Sequence, residues 1–214
     1  MTLLTSLGMY NHPQQRWAND AIWLSVAQRL GAQGIDATST LAHDLPVEEA
    51  WRHPDLLLAQ CCGYPLVADA DLALRVVAMP LYAVPDCRAG QHVSRIIVRA
   101  DGSGSDLAAF RGRIAAINAS LSNTGTNLFR DAVADIAGGR PFFSAVVITG
   151  SHRQSLLAVR ARAADVAAID AVTYAALHRY EPDTLRGLQA IGCCQSNANR
   201  SPHDARQSLT ATFS

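Results

Sequence analysis

From Val93 to Tyr180 the chain alternates short apolar runs, polar turns and stretches whose apolar residues recur at helical spacing. Few architectures satisfy that alternation. A short continuous apolar run suits a strand covered on both faces, and a helix between two such runs supplies the crossover that parallel strands need, so the pattern predicts a parallel α/β lobe. The expected strands are Val93 to Arg99, Ile114 to Ile117, Phe142 to Ile148 and Val166 to Ile169. Phe129, Val133 and Ile136 mark one helix, stopped by Gly138 and Gly139, while Leu156, Leu157 and Val159 mark a second. Val172, Tyr174, Ala175 and Leu177 mark a third. The turn from Asp101 to Asp106 is rich in glycine and serine, but its spacing is not that of a dinucleotide fingerprint.

The stretch from Arg113 to Asn127 carries the most chemistry. Ser122, Asn123 and Thr124 are N-cap and first-turn residue types, and Gly125 would let another molecule approach the backbone closely. A helix start carries roughly +0.5 of a charge and several unpaired N–H donors, so hydroxyls there form a small anion cradle. A Ser/Thr cap facing water has the same composition. Thr149-Gly150-Ser151-His152 is a second strand-to-helix turn, with Ser151 as its N-cap, and Asp170 follows the last apolar run. In a parallel lobe Ser122, Thr124, His152 and Asp170 all lie at carboxyl ends of strands and share one rim of the sheet. Taken singly, His152 also reads as a capped surface imidazole and Asp170 as a helix N-cap. The order Ser, His, Asp suggests a hydrolase triad, but the G-x-S-x-G elbow that would activate Ser122 is absent.

Before this lobe, Leu3 to Met9 reads as a strand leaving through Tyr10, and Trp17, Ile22, Trp23, Val26 and Leu30 as a helix face. Weaker or shorter elements follow: a strand at Ile35 to Leu41, a helix at Val47 to Trp51, and buried strands at Leu56 to Ala59 and Leu74 to Leu81. Gly63-Tyr64-Pro65 and Pro80-Leu81-Tyr82 place a tyrosine near the ends of those last two strands, the edge where open α/β sheets bind ligands. The expected organisation is a first α/β lobe over residues 1–84 plus about 181–192, a second over 85–180, and a loose polar tail over 193–214.

Composition narrows the chemistry. With 214 residues, 49% of them apolar, the chain can bury a full core. Basic and acidic residues balance at 18 each, so no electrostatic footprint for nucleic acid or anionic lipid is visible. Every basic residue among those 18 is arginine, which removes Schiff-base chemistry, a lysine-held pyridoxal cofactor and a Walker A lysine. Neighbouring cysteines, Cys61-Cys62 and Cys193-Cys194, are poor disulfide partners and read as free thiols suited to a reducing compartment. No cofactor and no metal site is expected, because no metal-ligand spacing is present. The first residues lack the features of an export signal, and no window reaches the roughly 20 apolar residues of a membrane span.

Gly63-Tyr64-Pro65, Asn118 to Gly125, Thr149 to His152 and Ala167 to Asp170 resemble the signature turns of the phosphonate/phosphate-type substrate-binding proteins of ABC importers. The resemblance covers roughly Leu3 to Ile191. It implies the type II periplasmic-binding-protein fold, two α/β lobes with a ligand cleft between them, and a small anionic ligand passed to an ABC permease. It further implies that Ser122, Asn123 and Thr124 hold the oxyanion with His152 beside them, that Asp170 lies near the ligand, and that Tyr10, Tyr64 and Tyr82 wall the pocket. Family members are usually periplasmic. Two other functions fit the same scaffold: a cytosolic enzyme of the dehydratase-like kind found in vitamin pathways, with His152 and Asp170 as acid and base, and a ligand-sensing domain.

Overall fold

In the computed structural model, which describes residues 3–85, 87, 91–102 and 104–195, the chain divides into two units, Met1–Val77 and Ala78–Ser214. The first unit begins with β1 (Leu4–Ser6), followed by α1 (Arg16–Gly31), α2 (Val47–Trp51) and β2 (Leu56–Ala59). β1 and β2 pair in parallel, with Leu4 opposite Leu56 and Ser6 opposite Ala59. Parallel neighbours need a long crossover, and α1 and α2 supply it. Trp23 of α1 and Trp51 of α2 are buried, and each indole N–H finds a carbonyl, Thr38 at 2.8 Å and Gln60 at 2.7 Å. Those bonds let the two largest side chains enter the core without stranding a donor. A short α3 (Pro65–Ala68) follows β2.

Three expectations change in this part of the chain. The first strand ends at Ser6, and Gly8–Tyr10 forms a 3-10 turn in place of its second half. Neither Ile35 to Leu41 nor Leu74 to Leu81 is a strand. Val76, Val77, Met79 and Leu81 are instead largely exposed. An apolar run becomes a strand only when a neighbour takes up its backbone N–H and C=O groups, and among the described residues these runs have no ladder partner.

The second unit is built on one five-stranded sheet. Its elements are β3 (Val93–Arg99), β4 (Ile114–Ile117), α4 (Leu128–Ala137), β5 (Ala145–Ile148), α5 (His152–Arg160), β6 (Val166–Asp170), α6 (Ala171–Tyr180) and β7 (Leu188–Gln195), and the strand order is β5-β4-β6-β3-β7. Alternate residues of a strand face opposite sides of a sheet. Ile96, Val98, Ala115, Ile117, Val166 and Ala168 therefore join Leu128, Phe129 and Val133 of α4, while Ile97, Ala116, Ala167 and Ile169 join Leu156 and Val159 of α5 and Leu177 of α6. Helices thus cover both faces. Gly138 takes φ 66° just past α4, the left-handed stop expected of the glycine pair.

The lobe is mixed rather than parallel throughout. β4 runs parallel to both β5 and β6, but β3 is antiparallel to β6 and to β7. Only a 3-10 turn, Leu107–Phe110, separates β3 from β4, so no crossover helix forces the parallel sense there. Phe142 and Phe143 precede β5 and pack edge-to-face in the core, with ring centroids 5.0 Å apart. Residues 181–192, expected to belong with the first lobe, fall in the second unit, where β7 pairs with β3 along Val93 to Arg99. Nor does a loose tail begin at Cys193, since Cys193 to Gln195 complete β7 and Cys194 is buried. Residues 196–214 of that expectation lie outside the described residues.

One polar pin holds the amino end of β6. Arg99 donates to the carbonyls of Val159 and Ala164 at 3.1 and 2.8 Å and to Asp165 Oδ1 at 2.9 Å. Asp165 Oδ2 accepts the Ile114 N–H at 3.0 Å. Burial pushes the Asp165 carboxyl upward, but the Ile114 N–H and the Arg99 guanidinium outweigh it, and the group ends below the usual carboxylate range.

Candidate functional site

β5, β4 and β6 lie side by side and run in one direction, so the turns that leave them emerge at one rim. After β4 the chain enters a helix that starts as a π turn, Asn123–Asn127, and continues into α4. Ser122 caps it, its Oγ accepting the Gly125 N–H at 3.1 Å. A cap of this kind is worth about 1 kcal/mol, and it leaves the Ser122 hydroxyl proton free to donate elsewhere. At a helix start the first amides, those of Asn123 and Thr124, have no acceptor within the helix. Ser122 and Thr124 are 7% and 5% exposed, so their polar groups sit in surroundings drier than an open surface. The Asn123 side chain turns along the helix, where its Oδ1 accepts from Asn127 Nδ2 at 3.1 Å.

The turn after β5 brings His152 to the same place. Ser151 caps α5 through the Gln154 N–H, and His152 Nε2 lies 3.4 Å from Thr124 Oγ1. His152 Nδ1 is shielded from solvent, and among the described residues it makes no hydrogen bond of good geometry. Burial pushes the imidazole below its ordinary range, opposed by the charge of Asp170 and by the backbone at Ala168. A lowered value keeps the ring neutral at pH 7. Asp170, at the end of β6, is 1% exposed and caps α6 with Oδ1, which accepts the amides of Val172 at 2.8 Å and Thr173 at 3.1 Å. Tyr82 is near enough to feel that carboxylate: burial first and the Asp170 charge second push the phenol up to about 12. Its ring stands edge-on to His92 at 6.4 Å.

Of the residues singled out in the sequence, the second unit therefore brings together Ser122, Asn123, Thr124, His152, Asp170 and Tyr82. Tyr10 and Tyr64 belong to the first unit, Tyr10 closing the 3-10 turn after β1 and Tyr64 preceding Pro65 at the start of α3. Gly125 serves a different purpose from the one expected. A Cβ there would stand 1.8 Å from Asn118 Oδ1 and 2.8 Å from His152 Cε1, so the space is filled by this unit's own side chains. Sequence reasoning missed two residues here. Asn118 brings a buried Oδ1 with no partner among the described residues, and Ser94 of β3 donates to the Thr124 carbonyl at 2.6 Å. For Ser94 the signal was legible: it is a lone small hydroxyl in the run from Val93 to Val98.

Two α/β units, the second with polar helix starts gathered at the carboxyl rim of parallel strands, have the type II periplasmic-binding-protein fold. The family profile described as "ABC transporter, phosphonate, periplasmic substrate-binding protein" matches residues 52–208, and the chain belongs to that family. A binding protein component of an ABC phosphonate transporter from Pseudomonas aeruginosa shares the fold at 16% identity and a TM-score of 0.59, over 97% of this chain and 72% of that one. An alanine mutant of arginine-bound ArgBP from T. maritima does so at 13% identity and 0.51, over 97% and 92%. XAC2383 from Xanthomonas citri, solved bound to ATP, matches at 15% identity and 0.43 over 56% of this chain, which spans about half (51%) of that protein's length. Comparison with curated proteins gave no match. Among the described residues no helix is long and apolar enough to cross a membrane, and no three His, Cys, Asp or Glu side chains are grouped to hold a metal.

Proposed function

We propose that the helix start at Ser122 to Gly125 binds the oxyanion end of a small phosphonate, phosphate or phosphate ester, and that the chain presents this ligand to an ABC-type permease. The supporting observation is the shared rim: the helix start capped by Ser122 carries Thr124, whose Oγ1 lies 3.4 Å from Nε2 of an imidazole that burial keeps neutral. Neutral donors suit a singly protonated oxyanion, and each charge-assisted hydrogen bond contributes on the order of 1.5–3 kcal/mol. An ionised carboxylate at Asp170 would repel a dianion, yet it can accept a hydrogen bond from P–OH or pair with a ligand ammonium group. Tyr10 and Tyr64 enter the proposed ligand set through the family resemblance alone. The acid–base enzyme alternative gains nothing comparable, because Asp170 Oδ1 is already engaged by two amides.

Calorimetric titration with methylphosphonate, inorganic phosphate and sulfate across pH 5 to 9 tests this reading. Binding is expected for a phosphorus oxyanion, weakening as pH rises through the ligand's last ionisation, and Thr124→Val should lose it. Tighter binding of the fully ionised ligand, or unchanged binding by Thr124→Val, would overturn it.

A further inference from the structure

We propose that Ser94 is the positioning residue of the anion-binding helix start, a role that rests on the function proposed above. Ser94 lies on β3, an inner strand of the sheet, opposite Asp170 on β6 and opposite Cys194 on β7, and is 0% exposed. Its neighbours along the strand are Val93, Arg95, Ile96, Ile97 and Val98, and a valine would satisfy strand propensity there at least as well. A hydroxyl buried at this depth costs free energy unless bonded. Its side chain has a contact with the Cys194 thiol across the ladder, but its close hydrogen bond leaves the ladder. Ser94 Oγ donates across 2.6 Å to the Thr124 carbonyl, in the first turn of the helix whose amides and hydroxyls face the proposed ligand.

That single bond links three parts of the site. β3 carries Ser94, β6 carries Asp170 in register beside it, and the helix start carries Thr124, whose own hydroxyl faces His152. Two other fixings of the loop are internal to it, Thr126 Oγ1 donating to the Ala119 carbonyl at 2.7 Å and Ser122 capping Gly125, and a third, the Gly150 N–H donating to the Asn118 carbonyl at 2.9 Å, ties its β4 end to the turn after β5. They set the loop's shape. Ser94 sets its height above the sheet and hence the separation of Thr124 Oγ1 from His152 and Asp170. Ser94 touches no ligand in this account and acts through Thr124.

Ser94→Ala removes the bond, and Thr184→Val is its control, removing a buried hydroxyl of the same unit that bonds to Glu181 away from the rim. Two readouts separate positioning from mere stability. The ligand-free ¹⁵N resonances of the His152 ring should move in Ser94→Ala and stay in place in Thr184→Val. Affinity for methylphosphonate, measured at full folding of each variant, should fall about tenfold in Ser94→Ala only, the scale expected from one lost or misplaced hydrogen bond. An unmoved His152 ring, or wild-type affinity in Ser94→Ala, overturns the inference. Moved ring signals in a protein that binds none of the three oxyanions would support the positioning role and overturn the ligand reading. Rescue by Ser94→Thr, which restores a hydroxyl on a strand-favouring side chain, would support it further.

Discussion

The two units treat similar apolar sequence in opposite ways. In the second, Ile96, Ile97 and Val98 are at most 5% exposed on a strand paired on both sides, while in the stretch leaving the first, Val76 and Val77 are 68% and 66% exposed with no ladder partner among the described residues. Composition does not separate these runs. Pairing does: β3 is flanked by β6 and β7, and helices cover both faces of its sheet. An apolar run is a request for burial, granted only where backbone partners are at hand.

The contrast can be tested in descending order of effect. Phe129→Ala, at a fully buried position in the α4 core, should destabilise the second unit by about 3–5 kcal/mol in urea unfolding, whereas Met79→Ala, at a 58% exposed position, should stay within about 0.5 kcal/mol. Comparable losses for the two would break the comparison. Gly125→Ala comes next. The added Cβ meets Asn118 and His152, and overpacking of this kind costs about 1–3 kcal/mol, while Gly31→Ala at the end of α1, where nothing lies within 4 Å, should be neutral to slightly stabilising. Differential unfolding of the two variants measures it.

The smallest effect is a pH dependence confined to the second unit. His152 has a folded value below the ordinary imidazole figure of about 6.5, so its neutral form contributes stability that is fully present above that figure and is lost as pH falls through it toward the folded value. Asp165 is likewise depressed, and its contribution is fully present above the ordinary carboxylate range and is lost as pH falls through its folded value. Denaturation midpoints in the second unit should therefore drop in two acid stages, the upper one absent in His152→Gln and the lower one in Asp165→Asn. A profile unchanged by both substitutions would sink the assignment.

Much of the candidate site was legible because its residues announce themselves locally. Ser122 before a helix, Ser151 before a helix and Asp170 after a strand are capping chemistry, and each caps as its type dictates. Ser94 and Asn118 were harder, since their importance lies in contacts 30 and 7 positions away, with Thr124 and Gly125. Gly125 shows the same limit in reverse. Glycine marks a need for space in any sequence, but which atoms occupy that space depends on the turn after β5, which delivers His152.

Local periodicity and capping residues were enough to define the strands β4 and β6, the helices α4, α5 and α6 and the polar rim they carry, because each depends on neighbours within a few positions. The antiparallel sense of β3, the placing of β7 beside it, the unpaired state of Leu74 to Leu81 and the hold of Ser94 on Thr124 were left to tertiary structure. The reason is that a strand's direction and neighbours are settled by competition among distant segments for the same backbone donors and acceptors, and no short window of residues contains that competition.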